Sequence, residues 1–518
     1  MSFSYRLGID VGGTNTDAVV LDEGNAIISK AKSPTTEDVT GGIVNVLAKV
    51  LANGSIDRSK IKYAMLGTTH CTNAIVERKK LYRVAVIRIG APATMAIKPL
   101  VGWPDDLKKA IGDRVFVIGG GHEFDGRRVG KLDEAALRRI ARQVRGEVDA
   151  VAVTAVFSPV NADDEVRAAA VLREELGDVP ISLSHEIGSI GLLERENATV
   201  LNAAVIGVAK ATAEAFSDAL RREGIAARMY FGQNDGTLMS VDYAVRYPIL
   251  TIACGPTNSI RGAAFLSDIK DALVVDVGGT TTDVGVLVNR FPRESSIAVE
   301  IGGVRTNFRM PDLVSIGLGG GTIIRNGAGS VSIGPDSVGY RIEREALVFG
   351  GNTLTATDIA VASGVAEVGE RSRVAGLPGD LVQSAQQKMV KMVEDAIDRM
   401  KTSPEPVPAV LVGGGSILLP DRLEGVSEVL RPANFEVANA IGAAIAQVSG
   451  QVERIFSLEK MSREEALRQA SEMAREEAIR AGADPATVEI VEIDDVPLAY
   501  LPGNATRIRV KAAGDLAR

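Results

Sequence analysis

The sequence predicts an α/β protein built from two similar halves that face each other across a cleft, followed by a small C-terminal α/β module. Three observations carry this expectation. The stretch "LGIDVGGTNTDAVVLD" at 7–22 returns as "LVVDVGGTTTDVGVLV" at 273–288. Between 132 and 185, helix-like and strand-like runs alternate in the βαβ manner that implies parallel pairing. From about Leu458 the pattern changes to a charged helix, "SREEALRQASEMAREEAIRAG", and two strand-like runs around an "LPGN" turn. The expected division is 1–190, 191–457 and 458–518.

In chain order, residues 5–31 read as a three-stranded meander whose first turn is Gly-Gly, with β-branched and apolar residues outside it. A helix near "GGIVNVLAKVLA", a strand at "YAMLG" and a helix at "CTNAIVERKK" follow. Next come helix "LDEAALRRIARQVRGE", strand "DAVAVTAVF", helix "DDEVRAAAVLREEL" and strand "VPISLS". A long apolar-periodic helix is expected from about Leu193 to Arg222. The second repeat opens at about Asp271 and meets the Gly-rich "SIGLGGGTIIRNGAGSVSIGP". A helix at about 380–402 leads to a strand ending in "VLVGGGSILLP".

A chain of 518 residues exceeds one hydrophobic core. Its 46% hydrophobic and 4% aromatic residues read as an ordinary soluble α/β enzyme. A net charge of −8 without a lysine and arginine stripe argues against nucleic acid as a partner. No apolar run approaches the roughly 18 residues of a membrane span, and a strand beginning at Tyr5 leaves no room for a signal peptide. A cytoplasmic protein is expected. Two cysteines, three histidines and no CxxC or HExxH make a zinc site improbable.

The repeat has a physical reading. A Gly-Gly-Thr turn presents consecutive backbone N–H groups with no Cβ in the way, so a phosphate oxygen can approach the main chain. Gly12, Gly13, Thr14 and Asn15 form one such turn, and Gly278, Gly279, Thr280 and Thr281 the other. Asp10 and Asp276, at the strand ends before the turns, can hold Mg²⁺, while Asp283, like Asp17, can position a nucleophile. A single "DVGGT" is a common hairpin. Its duplication with flanking aspartates is what a polyphosphate clamp made from two similar domains requires. Gly413, Gly414 and Gly415 could let an adenine or ribose lie against the backbone.

These three elements, in this order, resemble the actin, sugar kinase and heat-shock-chaperone ATPase superfamily. That resemblance implies two ribonuclease H-type domains around a nucleotide cleft and ATP with Mg²⁺ as cofactors. It makes Asp10, Asp276 and Asp283 the catalytic candidates. Further motifs narrow it: "LGTTHCTNAIVERK" (66–79), "LSHEIGSIGLLERENATVLNAAV" (183–205), "FGQNDGTLMSVDYAVRYPILTIACGPTNSIRGAAFL" (231–266) and "DVGGTTTDVGV" (276–286). Together they are similar to the phosphorylating, A-type members of the hydantoinase/oxoprolinase family. What that family implies is ATP-dependent opening of a cyclic amide such as 5-oxoproline, a hydantoin or a lactam, with ketones activated by related members. A separate hydrolase-type partner subunit is implied as well, and an oligomer is expected. A small-molecule kinase and a chaperone-like reactivating ATPase remain the alternatives.

Three departures from the family pattern are expected to fall in substrate-facing loops: Leu66 in place of a histidine, Thr16 in place of an aromatic, and "GPTNS" (Gly255–Ser259, with Thr257) in place of "GPAGG". For the acceptor, Thr68, Thr69 and Asn73 either bind substrate or cap a helix. Glu186, Glu194 and Arg195 either orient or deprotonate the acceptor, or form an interdomain ion pair or a solvated helix face. His185 reads as structural, and Cys71 and Cys254 as small buried residues. "GRRVGKL" lacks P-loop spacing, "GLGGGT" (317–322) does not follow the dinucleotide fingerprint, and no GxSxG is present.

Overall fold

The computed structural model describes residues 4–517 apart from 37–38, 53–55, 189, 296–298, 309, 328–329, 460 and 500–502. Leu501 and Pro502 of the expected C-terminal turn lie outside the described residues. The first repeat forms β1 (Tyr5–Val11) and β2 (Asn15–Leu21), followed by β3 (Ile27–Pro34), β4 (Ile61–Thr68) and β5 (Arg228–Gly232). Alternation sets the faces of β1: Leu7, Ile9 and Val11 enter a core with Ile43, Leu47 and Phe216, and Gly8 and Asp10 point to the opposite side. The second repeat forms β6 (Ala272–Val277) and β7 (Thr282–Val288), then β8 (Phe291–Pro292), β9 (Val407–Val412) and β10 (Val426–Leu430).

The two halves share one topology. Their strands run in the orders β3-β2-β1-β4-β5 and β8-β7-β6-β9-β10. In both, the first three strands pair antiparallel and the fourth and fifth join parallel. The duplication therefore extends well beyond the repeated turn.

The sheets do not follow the linear division at 190/191 and 457/458. β5, Leu238–Ser240, Val448–Ser457 and the hairpin Glu489–Pro497/Ala505–Gly514 all lie in the sheet of β1, which has nine strands. Val448–Ser457 pairs with Ala505–Gly514 along its whole length, so the C-terminal segment extends the first sheet. Its helix Arg463–Arg480 buries Ala466, Ala470, Ala474 and Ala478 against that extension. Residues 84–183 are an insertion between β4 and β5, with a parallel sheet in the order Val115–Gly119, Val84–Ala91, Ala150–Ala155, Ile181–Leu183.

Four helices position the site: α1 (His70–Glu77), α2 (Leu192–Arg222), α3 (Cys254–Ser267) and α4 (Ala438–Ile445). Contrary to the reading of the apolar runs, α2 is long and apolar enough to cross a membrane by length and composition. It serves as a core helix here, burying Ala198, Leu201, Ala204 and Val205 beside α1 and the inserted sheet. α3 packs on the second sheet through Ile260, Ala263 and Ala264, and α4 on the first through Ala440, Ile441 and Ala444. Where they cross, a Cβ on Gly442 would lie 1.8 Å from the Asn258 carbonyl oxygen, and one on Gly262 1.9 Å from that of Ala438. Only glycine permits this backbone contact, which joins the two halves.

Candidate active site at the two-turn cleft

Each repeat forms its hairpin in the same register. Gly12 N–H donates to the Asn15 carbonyl at 3.0 Å and Gly278 N–H to that of Thr281 at 2.9 Å. Asp10 lies opposite Asp17, and Asp276 opposite Asp283. Carbonyl oxygens on the back of each turn are occupied. The Thr35 amide donates to Thr14 O at 2.9 Å and its hydroxyl to Gly12 O at 2.8 Å; Gly320 and Gly321 N–H donate to Gly278 O and Gly279 O at 3.0 and 2.7 Å. Among the described residues, the amides of Gly13, Thr14, Gly279 and Thr280 have no protein acceptor. With its carbonyls bonded and these amides unpaired, each turn could receive an anion. The turns touch: Thr14 Oγ1 is 3.2 Å from Thr280 Oγ1, with Gly13 and Thr281 exposed beside the contact.

Gly413–Gly415 follow β9 and back onto the second turn. A Cβ on Gly413 would lie 2.2 Å from Asp276 Oδ1, and one on Gly415 2.5 Å from Gly278 O, whereas Gly414 faces open space. The sequence motif "GLGGGT" supplies the brace behind this turn, a role its failure to match a dinucleotide fingerprint concealed.

The helix pair tethers the carboxylates. From α3, Asn258 Nδ2 donates to Asp10 Oδ1 at 3.0 Å and Ser259 Oγ to Asp276 Oδ2 at 2.6 Å. From α4, Asn439 Nδ2 donates to Asp10 Oδ2 at 3.0 Å and to Asp17 Oδ2 at 2.9 Å. Cross-strand register sets two matching rows: Gly67–Asp10–Asp17–Lys32 in the first half and Val412–Asp276–Asp283–Ser315 in the second. They differ in charge. Lys32 Nζ is 2.5 Å from Asp17 Oδ1, whereas a serine stands beside Asp283.

Burial raises the Asp10 carboxyl to about 6, with Asp17 and Asp276 adding to it and the two asparagines opposing. Burial and then the Asp276 charge raise Asp283 to about 6 against a bond from Ser315. Asp276 is also raised by burial, opposed by Ser259 and the Lys32 charge. No group of three or more His, Cys, Asp or Glu among the described residues forms a ready metal cage. Asp10 and Asp276 suit Mg²⁺ instead, an ion that keeps most of its waters and takes one or two carboxylates plus phosphate oxygens.

The three departures from the family pattern are interior, not substrate-facing as expected. Leu66 is a core residue of β4, because a strand between β1 and β5 has no loop character there. Thr16 is buried behind the first turn, 3.3 Å from the Thr35 hydroxyl. Thr257 is buried in α3, donating to Cys254 O at 2.8 Å, and its neighbours Asn258 and Ser259 are the tethers just described.

Thr68, Thr69 and Asn73 do gather beside the first turn. Thr68 pairs in register with Val11, and its hydroxyl contacts His70 Nδ1. Thr69 precedes α1 without a side-chain cap and donates to Val11 O at 3.3 Å. A Cβ on Gly255 would sit 3.9 Å from Thr69 Cγ2 and 4.0 Å from Asp10 Oδ2, so both residues lie beside the start of α3. Asn73 is exposed one turn along, 3.5 Å from Thr69 Oγ1. Burial, with Lys80 adding to it, holds His70 down to about 4.

Glu186 and Arg195 take the structural alternative. Glu186 pairs with Arg246 at 2.5 Å. Arg195 is fully buried, donating to Ser184 Oγ, Ile190 O and Ala155 O at 2.9, 2.7 and 2.8 Å. Glu194 lies 3.7 Å from Arg305, and His185 is held by Glu165 at 2.6 Å. Both cysteines are buried, their thiols pushed up by burial to about 11 for Cys71 and about 12 for Cys254.

Residues 6–176 match the hydantoinase/oxoprolinase N-terminal region, and residues 195–370 match hydantoinase/oxoprolinase. The chain belongs to the hydantoinase/oxoprolinase family. It is similar to the caprolactamase alpha subunit of Pseudomonas jessenii, 31% identical over 70% of this chain and 54% of that one. It is also similar to the acetophenone carboxylase gamma subunit of Aromatoleum aromaticum, 28% identical over 69% and 53%. The chain thus spans about half the length of these two family members. Its fold is like that of the crystal structure of ATP-dependent caprolactamase from Pseudomonas jessenii, with a TM-score of 0.76 at 20% identity over 99% of this chain and 88% of that one.

Proposed function

We propose that this chain is the ATP-using part of a hydantoinase/oxoprolinase-type enzyme. It would transfer the terminal phosphoryl group of ATP to the carbonyl oxygen of a cyclic amide (a hydantoin, 5-oxoproline or lactam), activating the ring for opening with a separate hydrolase-type partner subunit. The observation that carries this reading is the contact between the two turns through Thr14 and Thr280. One such turn per half suits successive phosphates, and the shared strand order supports reading both halves as ribonuclease H-type domains.

An unstrained amide is a poor electrophile because nitrogen donates into its carbonyl. Phosphorylating the oxygen turns it into a leaving group for later attack at carbon. The amide oxygen attacks phosphorus, the bond to the departing diphosphate breaks, and the amide N–H proton must go to a base. Asp283 suits that role, since its carboxyl is held near 6 by burial and the Asp276 charge and no cation stands on its other side, where Ser315 pairs with it. Asp10 and Asp276 would hold Mg²⁺, which when bound neutralises polyphosphate charge. Thr68, Thr69 and Asn73 would line the acceptor side, and Gly414 the nucleoside side. Domain closure across α3 and α4 would exclude water.

A second acceptor class is favoured by the acetophenone carboxylase relative: a ketone, phosphorylated at oxygen as an α-proton leaves. Both readings are tested by ATP turnover with Mg²⁺ across 5-oxoproline, hydantoins, lactams and ketones, with and without the protein encoded beside this chain. Stimulation by a cyclic amide, with ring opening only when the neighbour is present, is the expected result. Stimulation confined to ketones would select the second class. Nucleotide binding without stimulation by any acceptor would move the assignment to a kinase of another substrate or a reactivating ATPase.

A further inference from the structure

The two carboxylate rows differ at both ends, Gly67 against Val412 and Lys32 against Ser315, and only the second difference changes the charge. In the second half, Ser315 stands beside Asp283; in the first, Lys32 stands beside Asp17. The hairpin therefore needs no cation at this place. Nor does the fold need one for core packing, because β3 is an edge strand and the Lys32 side chain is 33% exposed. Its position is nonetheless particular. The Lys32 charge acts on Asp276 of the opposite half as well as on Glu436, which already has Lys30 at 2.5 Å. Among the described residues, no other lysine or arginine forms an ion pair with Asp10, Asp17, Asp276 or Asp283.

The charge balance poses a problem for the function proposed above, on which this inference rests. Four carboxylates converge where a polyphosphate with about four negative charges would enter, and one divalent cation offsets only part of that. An ammonium on a flexible four-carbon stem can change partners without moving the backbone. We propose that Lys32 is the cleft's phosphate-binding cation, stored on Asp17 in the ligand-free chain and transferred to the terminal phosphate of ATP. Asp17 keeps its bond from Asn439 after the exchange, so the row is not left without a donor.

A plain cross-strand ion pair would make different predictions, and nucleotide binding separates the two without any acceptor. Calorimetry with Mg²⁺ would compare AMPPNP with ADP on wild type and on Lys32→Met. The expected result is AMPPNP weakened about 10- to 100-fold, the scale of a lost charge-assisted bond, with ADP changed by less than about 3-fold. Lys32→Arg should recover most of the AMPPNP affinity. Asp17→Asn, which releases the lysine from its resting partner, should tighten AMPPNP and not ADP. Equal effects on both nucleotides, or none, would overturn the Lys32 assignment while leaving the nucleotide cleft intact. If the folded wild type binds neither nucleotide, the reading of the cleft itself falls, and the role of Lys32 with it.

Discussion

Asp283→Asn should make the ligand-free protein more stable near neutral pH while ending its turnover. The carboxyl of Asp283 is held up to about 6, against 3.8 for an ordinary aspartate, by burial and the neighbouring Asp276 charge. The folded chain therefore binds this proton more tightly than the unfolded chain does. The stabilising contribution is full below pH 3.8, is lost as pH rises through 6, and stays lost above it. The penalty on the alkaline side is about 3 kcal/mol. Asparagine keeps the shape and the contact with Ser315 but never ionises, so it removes the penalty. Denaturation midpoints measured from pH 4 to 8 should show the variant and wild type converging near pH 4 and separating by about 3 kcal/mol above pH 6. A gap that is absent at pH 8, or equally large at pH 4, would refute the electrostatic account. Loss of turnover alongside that gain would identify the buried charge as a functional cost.

Asn439→Ala removes both donors that α4 offers to Asp10 and Asp17, at 3.0 and 2.9 Å. Chemical denaturation should show a loss of about 3 kcal/mol at pH 7, since bonds to buried charges are each worth about 1.5–3 kcal/mol and the carboxylates can partly relax. The loss should shrink as pH falls through 6, where Asp10 takes up a proton. Arg195→Lys breaks a planar fork whose acceptors include Ser184 Oγ, Ile190 O and Ala155 O, and should cost about 3 kcal/mol of stability. Its KM for ATP should match wild type, because Arg195 touches neither turn; a raised KM with normal stability would return it to the substrate site.

What was legible in the sequence was local. The Gly-Gly-Thr turns, their aspartates and the helix Leu192–Arg222 each follow from turn chemistry or periodicity within about thirty residues, and the structure forms each of them as expected. What was hidden depends on pairing between distant segments. Nothing in "ANAIGAAI" marks Asn439 as a donor to Asp10, because the contact exists only once α4 crosses α3 at Gly442 and Gly262. Leu66, Thr16 and Thr257 were misassigned to substrate loops for the same reason. Their distance from a family pattern says that something nearby has changed, but only the strand order and the helix crossing say that these side chains point inward. The C-terminal strands likewise read as a separate module until their ladder to Val448–Ser457 fixes them on the first sheet.

Duplicated halves need not do duplicated work, and the differences between them indicate how the labour divides. In the first half, Asp10 and Asp17 together receive bonds from Asn258, Asn439 and Lys32, so this pair is held in place and its charge partly neutralised. In the second half, the donors to Asp276 and Asp283 are the hydroxyls of Ser259 and Ser315, which carry no charge. A proton is more readily exchanged at the second pair, and a fixed anchor for metal and phosphate is more readily supplied by the first. On this argument the first half positions the phosphates while Asp283 handles the proton. Exchanging the row ends through Lys32→Ser with Ser315→Lys would then keep the net charge of the cleft and still abolish turnover, because the cation would suppress the base and the first pair would lose its only charged partner among the described residues.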